Sequence, residues 1–314
     1  MTKKINGSWF EFIHHNESEA KYWNETCTKF SCDQWRDKIR EYASLGMKYV
    51  VLTSTAWRGT SFFPTSLMTL FPLECQNPLK HILDEAEKQS LKVFVGAGYC
   101  FHNINEWLLP ETDRLRHQLM VELENLYGNN PAFFGWYLPV ESHISGHFRK
   151  DYLDYLAAAT QSARKINPRK KILIAPFGTR DCIADDRYCR QLEEIDVDII
   201  AYQDEVGVRK TKLDELEEIF SRIRKAHDRT KNAPALWADV EIFQFEGKVY
   251  NSALLPAPFE RIKNQLKLIR PFVEQLLVYQ CLGLMNPSGT SAFCGHPDSE
   301  TLYRNYAEWA GIKS

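Results

Sequence analysis

The sequence lacks the motifs that assign many α/β proteins to a class. The 314-residue chain has no Gly-x-Gly-x-x-Gly after its first apolar run and no Walker A loop. These absences argue against a dinucleotide-binding sheet and a P-loop nucleotide site. None of the eight cysteines forms a Cys-x-x-Cys pair, so the thiolate spacing of a structural zinc site is missing. Low-complexity segments are also absent.

Net charge is low, and long apolar runs are missing. Lys and Arg total 39 against 41 Asp and Glu, which gives a formal charge of −2. A balance this even provides no electrostatic attraction to nucleic acid or to a membrane surface. No apolar run approaches the roughly 20 residues that cross a bilayer. We therefore expect neither a nucleic-acid nor a membrane partner, and the sequence does not indicate an oligomeric state.

The N-terminal segment MTKKINGSWFEFI has neither the apolar core nor the small-residue cleavage site of a signal peptide. This favours a cytoplasmic protein with reduced cysteines and no glycans. A periplasmic or secreted protein would require that an export signal has been removed. Cys100, Cys182 and Cys281 lie in or beside apolar runs, where buried thiols are the ordinary expectation.

A regular alternation organises the chain. Short apolar runs rich in β-branched and aromatic residues alternate eight times with amphipathic helical stretches. Each run is typical of a strand buried on both faces, as parallel sheets require. Eight strand–helix units predict a single (β/α)8 TIM barrel of the α/β class, spanning residues 1–314 as one domain. The runs are 5–13, 48–57, 92–100, 132–141, 171–178, 198–207, 235–243 and 276–285.

Helix boundaries are marked by capping residues. Ser31 and Asn77 precede two amphipathic stretches and are predicted N-caps, and Gly46 is a predicted helix stop. Long loops follow the first, second and seventh runs. In a barrel these loops lie on the face that carries the active site.

Carboxylates follow three of the predicted strands. The fourth run, PAFFGWYLPVE, ends on Glu141, the sixth reaches Asp204 and Glu205, and the seventh reaches Asp239 and Glu241. Adjacent strand residues face opposite ways, so Asp204 and Glu205 cannot both face the lumen, and we expect Asp204 to do so. Like charges held close in a cleft separate their pKa values, which leaves one group as acid and another as base or nucleophile.

This arrangement predicts a glycoside hydrolase acting on an oligo- or polysaccharide. Glu141 would protonate the leaving oxygen, and Glu241 would act as nucleophile or base. Asp204 would stabilise the developing positive charge or serve as an alternative base. The structural alternative for Glu141 is an ion pair with Arg149 or Arg180.

Further residues at the strand ends are predicted to bind a sugar. Aromatic faces can stack on pyranose C–H surfaces, and polar side chains can bind hydroxyl groups. Plain core packing is the alternative for each of the aromatics. The candidates are Trp57, Trp107, Tyr202, Gln203, His14 and Asn286.

Two other functions remain open. A metal-dependent sugar isomerase or lyase would use Glu141, the other rim carboxylates and a His as ligands, and His143 and His147 follow Glu141 closely. The His pairs that metallohydrolase barrels use on their strands are missing, so we expect no metal and no other cofactor. The remaining alternative is a non-catalytic carbohydrate-binding barrel.

Three segments carry a resemblance to a known family. GWYLPVE (135–141), YQDEVGV (202–208) and LWADVEIFQ (236–244) resemble the strand ends of a bacterial barrel family catalogued as domain of unknown function 4434 and regarded as candidate glycoside hydrolases. The resemblance implies that Glu141, Asp204 and Glu241 are shared acidic residues. The chain departs from the best-known barrel glycosidases at Val140, where those enzymes have an Asn that binds the sugar 2-hydroxyl.

Overall fold

Eight parallel strands close into a barrel in the computed structural model, which describes residues 4–100 and 106–312. Each strand pairs with its neighbours in chain order, and the first strand pairs with both the second and the eighth. The predicted TIM barrel is therefore confirmed. The strands are β1 Gly7–Phe10, β2 Tyr49–Leu52, β3 Lys92–Gly96, β4 Phe133–Tyr137, β5 Lys171–Ile174, β6 Ile199–Gln203, β7 Ala235–Glu241 and β8 Gln275–Tyr279.

Helices surround the strands and begin where the sequence supplies caps. Ser31 Oγ accepts the N–H of Gln34, and the Gln34 side chain accepts the N–H of Ser31, which completes a capping box. Asn77 caps the next helix through the N–H of Lys80. Gly46 has a φ of +73°, the left-handed conformation that glycine adopts most easily after a helix. All three sequence predictions of caps and stops are thus confirmed.

The helices described are α1 Asn24–Thr28, α2 Cys32–Ser44, α3 Pro78–Lys88, α4 Pro110–Tyr127, α5 Lys150–Ile166, α6 Asp186–Glu194, α7 Leu216–Arg229, α8 Phe259–Ile269 and α9 Asp298–Ala310. No helix in the described ranges is both long and apolar enough to span a membrane.

The apolar core has two parts, because strand side chains alternate between the two faces of the barrel wall. One part lies between the strands and the helices, and the other fills the barrel lumen. Trp237 belongs to the luminal part, so Asp239 and Glu241, two and four residues later on β7, face the same side. The luminal cluster contains Trp9, Val51, Phe94, Tyr137, Leu173, Ala175, Ile199, Ala201, Trp237 and Leu277.

The observed strands are shorter than the apolar runs that predicted them. The fourth strand ends at Tyr137 rather than at Glu141, which lies four residues further on. The apolar residues Leu138 and Val140 are buried without belonging to the strand. A buried turn therefore carries Glu141 to the barrel mouth.

Two loops on the mouth side form small sheets of their own. The loop after β2 contains a three-stranded sheet, and the loop after β7 pairs Phe243–Phe245 with Leu254–Pro256. A disulfide joins Cys32 of α2 to Cys75 in the loop after β2. The expectation that all cysteines are reduced is therefore wrong for this pair. Sequence spacing alone does not determine such a connection.

Candidate active site

Glu141 reaches the barrel mouth from the turn after β4. The Tyr137 hydroxyl donates to Glu141 Oε1 at 3.0 Å, and Gln203 of β6 is a second hydrogen-bond partner. The Tyr99 hydroxyl donates to the carbonyl of Pro139 and fixes the turn. Part of the Glu141 residue is exposed to solvent, but the surrounding protein still displaces water from its carboxyl group. Burial consequently raises the pKa of the Glu141 carboxyl, although both hydrogen bonds act to lower it.

Neither arginine that could form a structural ion pair with Glu141 does so. Arg149 pairs with Asp151, and Arg180 lies 3.3 Å from Glu215. The structural alternative proposed for Glu141 is therefore wrong. Its carboxyl is held by neutral donors rather than by a fixed cation.

Glu241 is the last residue of β7 and is almost fully buried, with 5% of its surface exposed. Its Oε2 accepts the main-chain N–H of Val208 at 2.8 Å. Gly207 lies against the carboxyl so closely that a Cβ there would come within 2.9 Å of Oε2. Burial, followed by the negative charge of Asp204, raises the pKa of Glu241 well above its ordinary value.

Asp239 lies one level below Glu241 on the same luminal face. The residue is only 3% exposed, and its Oδ1 has no hydrogen-bond partner among the described residues. Burial and the charges of Glu241 and Glu141 raise the pKa of Asp239 well above its ordinary value. The alternation that starts at the luminal Trp237 is the pattern from which this residue could have been predicted as part of the site.

Asp204 follows β6 but faces the helices. Its Oδ2 accepts the Gln265 amide of α8 at 2.6 Å, and its Oδ1 accepts the main-chain N–H of Glu241 at 3.1 Å. The predicted luminal position of Asp204 is therefore wrong, because Gln203 is in phase with the luminal Ala201 and occupies that place. Burial raises the pKa of Asp204 to about 6, although these hydrogen bonds act to lower it.

The Glu205 carboxyl binds residues of the neighbouring loops. Its Oε2 accepts the N–H groups of Gly178 and Thr179, at 2.8 and 3.1 Å, and Lys210 Nζ lies 3.3 Å from Oε1. These contacts join the loops after β5 and β6.

His14 is enclosed by two carboxylates. Its Nδ1 lies 2.9 Å from Glu11 and its Nε2 lies 3.0 Å from Glu19. Burial alone would lower the pKa of His14, but these two partners outweigh burial and raise it to about 9. The ring is protonated at neutral pH and directs both N–H groups to carboxylates, so the predicted direct contact of His14 with a sugar hydroxyl is wrong.

Tyr279, the last residue of β8, extends this network toward the lumen. Its hydroxyl lies 3.0 Å from His14 Nδ1, and its side chain packs against the luminal cluster. The ring also lies near Phe243 of the loop after β7, at 6.1 Å between centroids. Tyr279 was missed by the sequence analysis because an aromatic residue at a strand end is equally typical of the core.

Two predicted sugar-binding residues lie away from the mouth. Tyr202 is fully buried on the outer face of β6, where its hydroxyl bonds Tyr188 and, at 2.8 Å, His227. Asn286 is fully buried and accepts Lys38 Nζ at 2.6 Å. Both predictions are wrong, since neither side chain can reach a ligand in the lumen.

The two predicted tryptophans are partly exposed near the mouth. Trp57 makes an edge contact with Tyr99 at 5.6 Å and lies 6.1 Å from the ring of His15. Trp107 makes an edge contact with Tyr155 at 5.4 Å. Stacking on a sugar stays a prediction for both.

The histidines after Glu141 do not converge on it. His143 pairs with Asp181 at 3.0 Å, and His147 pairs with Asp185 at 2.9 Å. Within residues 4–100 and 106–312, one group of three potential metal ligands lies within 4.8 Å, namely Cys32, Cys75 and His81. Its two sulfur atoms are joined to each other.

Comparison with known sequences gives one family match. The profile of the family described as Domain of unknown function (DUF4434) matches residues 5–291, which is most of the chain. No curated protein sequence matches this chain.

Solved structures share the fold at low sequence identity. A proposed alpha-L-fucosidase from Bacteroides thetaiotaomicron VPI-5482 is similar over 99% of this chain and 94% of its own, with 18% identity and a TM-score of 0.78. An endo-1,4-beta-mannanase from Rhizomucor miehei matches 99% of this chain and 96% of its own, at 11% identity and a TM-score of 0.59. A family 39 glycoside hydrolase from Bacteroides cellulosilyticus WH2 covers 99% and 64%, at 12% identity and a TM-score of 0.62. At such identities the likeness shows the barrel fold.

Proposed function

We propose that this chain, which belongs to the family described as Domain of unknown function (DUF4434), is a glycoside hydrolase that cleaves an oligo- or polysaccharide. The observation that carries the proposal is that Glu141, which follows β4, and Glu241, which ends β7, both act electrostatically on Asp239, and that burial raises the pKa of both. Acid–base cleavage of a glycosidic bond needs two carboxyl groups in one site, one to protonate the leaving oxygen and one to act as nucleophile or base. The glycosidases that share the fold support the same reaction class.

Glu141 is the proposed general acid. It is the more solvent-accessible of the two carboxyl groups, so a leaving group can approach it. Because burial raises its pKa, the carboxyl keeps its proton closer to neutral pH. Tyr137 donates to Oε1, so we place the proton of the carboxyl on Oε2, from which it passes to the glycosidic oxygen.

Glu241 is the proposed nucleophile or base. Val208 holds its Oε2, and its Oε1 has no hydrogen-bond partner among the described residues. Burial and the like charge of Asp204 disfavour ionisation of Glu241. A sugar that develops positive charge in the transition state reverses this effect, because carboxylates stabilise an oxocarbenium-like centre.

Asp204 is assigned a positioning role in place of direct contact. It binds the main-chain N–H of Glu241 and the Gln265 amide, so it anchors the end of β7 to α8. Its charge acts on Glu241 and on Asp239. Trp57, Trp107 and Gln203 remain the proposed sugar-binding residues.

A broad glycan hydrolysis screen of the wild type and Glu141→Gln tests the proposal. Hydrolysis by the wild type and at least a hundredfold loss in the variant are expected, since general acid catalysis contributes about 10²–10⁴-fold. Glu308→Gln, an exposed residue on α9, is the matched control and should keep full activity. Glycan binding without turnover in every form would indicate a carbohydrate-binding barrel. Loss of activity on chelation would indicate the metal-dependent alternative.

A further inference from the structure

Asp239 is a buried residue whose carboxyl group has an unpaired oxygen atom. Its Oδ1 is enclosed and has no donor among the described residues. Leaving a buried acceptor unpaired is energetically costly, so an unpaired buried group calls for an explanation, such as a ligand.

No basic side chain among the described residues compensates the charge of the Asp239 carboxyl. The charges that act on Asp239 come from Glu241, Glu141 and Asp204, and all of them are negative. Arg261 affects Asp204 and Glu241, but it donates its hydrogen bonds to the main-chain carbonyls of Glu241 and Phe243 and to Oε1 of Gln265. The interior face of β7 is therefore acidic and lacks a fixed counter-charge.

The position of Asp239 marks the floor of the barrel mouth. It lies opposite Gln203 of β6 in the strand register and below Glu241 on its own strand. Beneath it, Trp237 closes the lumen by packing against Tyr49, at 4.7 Å between ring centroids. Asp239 is thus the innermost carboxyl group on the luminal face of β7, next to the apolar filling.

We propose that Asp239 is a substrate-contacting residue, which exchanges hydrogen bonds with a hydroxyl or ammonium group of the bound sugar and excludes sugars that carry a carboxylate. The inference rests on the proposed function for the identity of the ligand as a sugar. It adds the chemical class of that sugar, which is a neutral or amino sugar and not a uronic acid.

The exclusion follows from charge. A uronic acid would bring a further negative charge among three carboxyl groups in a site where burial weakens screening. A hydroxyl group can both donate to and accept from a carboxyl, and an ammonium group supplies the missing positive charge. Either group can donate to Oδ1 of Asp239, whereas an ionised uronate carboxylate has no hydrogen to donate.

Asp239→Asn separates a ligand contact from a structural role. The amide removes the like-charge conflict and keeps the shape, so the variant should unfold at the same temperature as the wild type or higher. Asp198→Asn is the matched control, since Asp198 pairs with Arg164 and Lys171 at the opposite end of β6. That control should lose stability and keep ligand binding.

Calorimetric binding is measured with three groups of 4-nitrophenyl glycosides, namely those of neutral hexoses and fucose, of amino sugars, and of glucuronic and galacturonic acids. The wild type should bind at least one neutral or amino glycoside, and Asp239→Asn should bind it about tenfold more weakly or worse, as loss of a charged hydrogen bond implies. The uronides should bind the wild type at least tenfold more weakly than their neutral counterparts. In Asp239→Asn the difference in affinity between uronides and neutral glycosides should be smaller.

Three outcomes would overturn the inference: equal binding by the wild type and Asp239→Asn, tighter binding of a uronide, or no binding of any neutral or amino glycoside. Hydrolysis in the same samples keeps the two proposals apart. If Glu141→Gln abolishes turnover while Asp239→Asn binds as the wild type does, the glycosidase assignment stands and this inference fails. If no glycoside is cleaved but Asp239→Asn loses binding, the inference about Asp239 stands and the glycosidase assignment fails.

Discussion

The Asp204 carboxylate accepts the main-chain N–H of Glu241 at 3.1 Å, so the two acids are joined through the backbone of β7. The second oxygen of Asp204 is taken by Gln265. The sequence predicted that Asp204 lies beside Glu241 in the lumen. In the structure Asp204 instead acts on Glu241 from the outer side of the barrel wall, which faces α8.

Asp204→Asn should shift the pH dependence of Glu241. The charge of Asp204 raises the pKa of Glu241, so removing that charge lowers it and keeps Glu241 ionised at lower pH. The acid limb of kcat/KM should move down by about one pH unit.

The same variant should unfold more easily. An amide has one acceptor where the carboxylate has two, so either Gln265 or the Glu241 N–H loses its partner, at a cost of about 1–3 kcal/mol. Asp198→Asn serves as the control and should leave the pH profile in place. An acid limb that does not move in Asp204→Asn would contradict the electrostatic link.

Tyr137→Phe should shift the opposite limb of the profile. The Tyr137 hydroxyl lowers the pKa of Glu141 by hydrogen bonding, so its loss raises that pKa. If Glu141 is the general acid, the alkaline limb of kcat/KM moves to higher pH. Tyr152→Phe is the matched control, because the buried Tyr152 hydroxyl has no hydrogen-bond partner among the described residues. Identical profiles for Tyr137→Phe and the wild type would argue against this role of Glu141.

His14→Gln should reveal a pH-dependent contribution to stability. The pKa of His14 is raised from 6.5 to about 9, so its stabilisation is complete below pH 6.5 and disappears as pH rises through about 9. The shift corresponds to about 3 kcal/mol. In urea unfolding, the gap between wild type and variant should be larger by about that amount at about pH 6 than at about pH 9.5. A gap of constant size would mean that His14 is not protonated in the folded protein.

Removing the disulfide should lower the free energy of unfolding. Cys32 and Cys75 are 43 residues apart, and the loop-entropy relation assigns such a crosslink about 4 kcal/mol. Cys32→Ser combined with Cys75→Ser should show this loss in chemical denaturation. Cys189→Ser, at a free and partly exposed cysteine, should change little. Thiol titration of the unfolded wild type should find six free thiols before reduction; eight would contradict the pairing.

The barrel itself was predictable from the sequence. Eight apolar runs separated by amphipathic stretches are compatible with few folds. Ser31 and Asn77 predict the helices that follow them, because their side chains can accept the unpaired N–H groups of the first helical turn. Glu141 and Glu241 could also be placed at the mouth, because strand order alone brings them there.

The orientation of individual side chains was harder to predict from the sequence. In the run Gln203, Asp204, Glu205, the choice of the inward residue depends on the phase of β6, which the luminal Ala201 sets. The apolar run of β6 is buried on both faces and so hides that phase. Tyr202 and Asn286 were misplaced for a related reason, since their polar partners come from segments distant in the chain.

The loop after β6 gives the site a further property. Gly207 leaves room for the Glu241 carboxyl, and the neighbouring Val208 N–H lowers the pKa of that carboxyl against the effects that raise it. The acidity of a residue on β7 is thus adjusted by the main chain of a different strand's loop. Relatives could diverge in their working pH through the shape of this loop alone, with every ionisable side chain of the site unchanged.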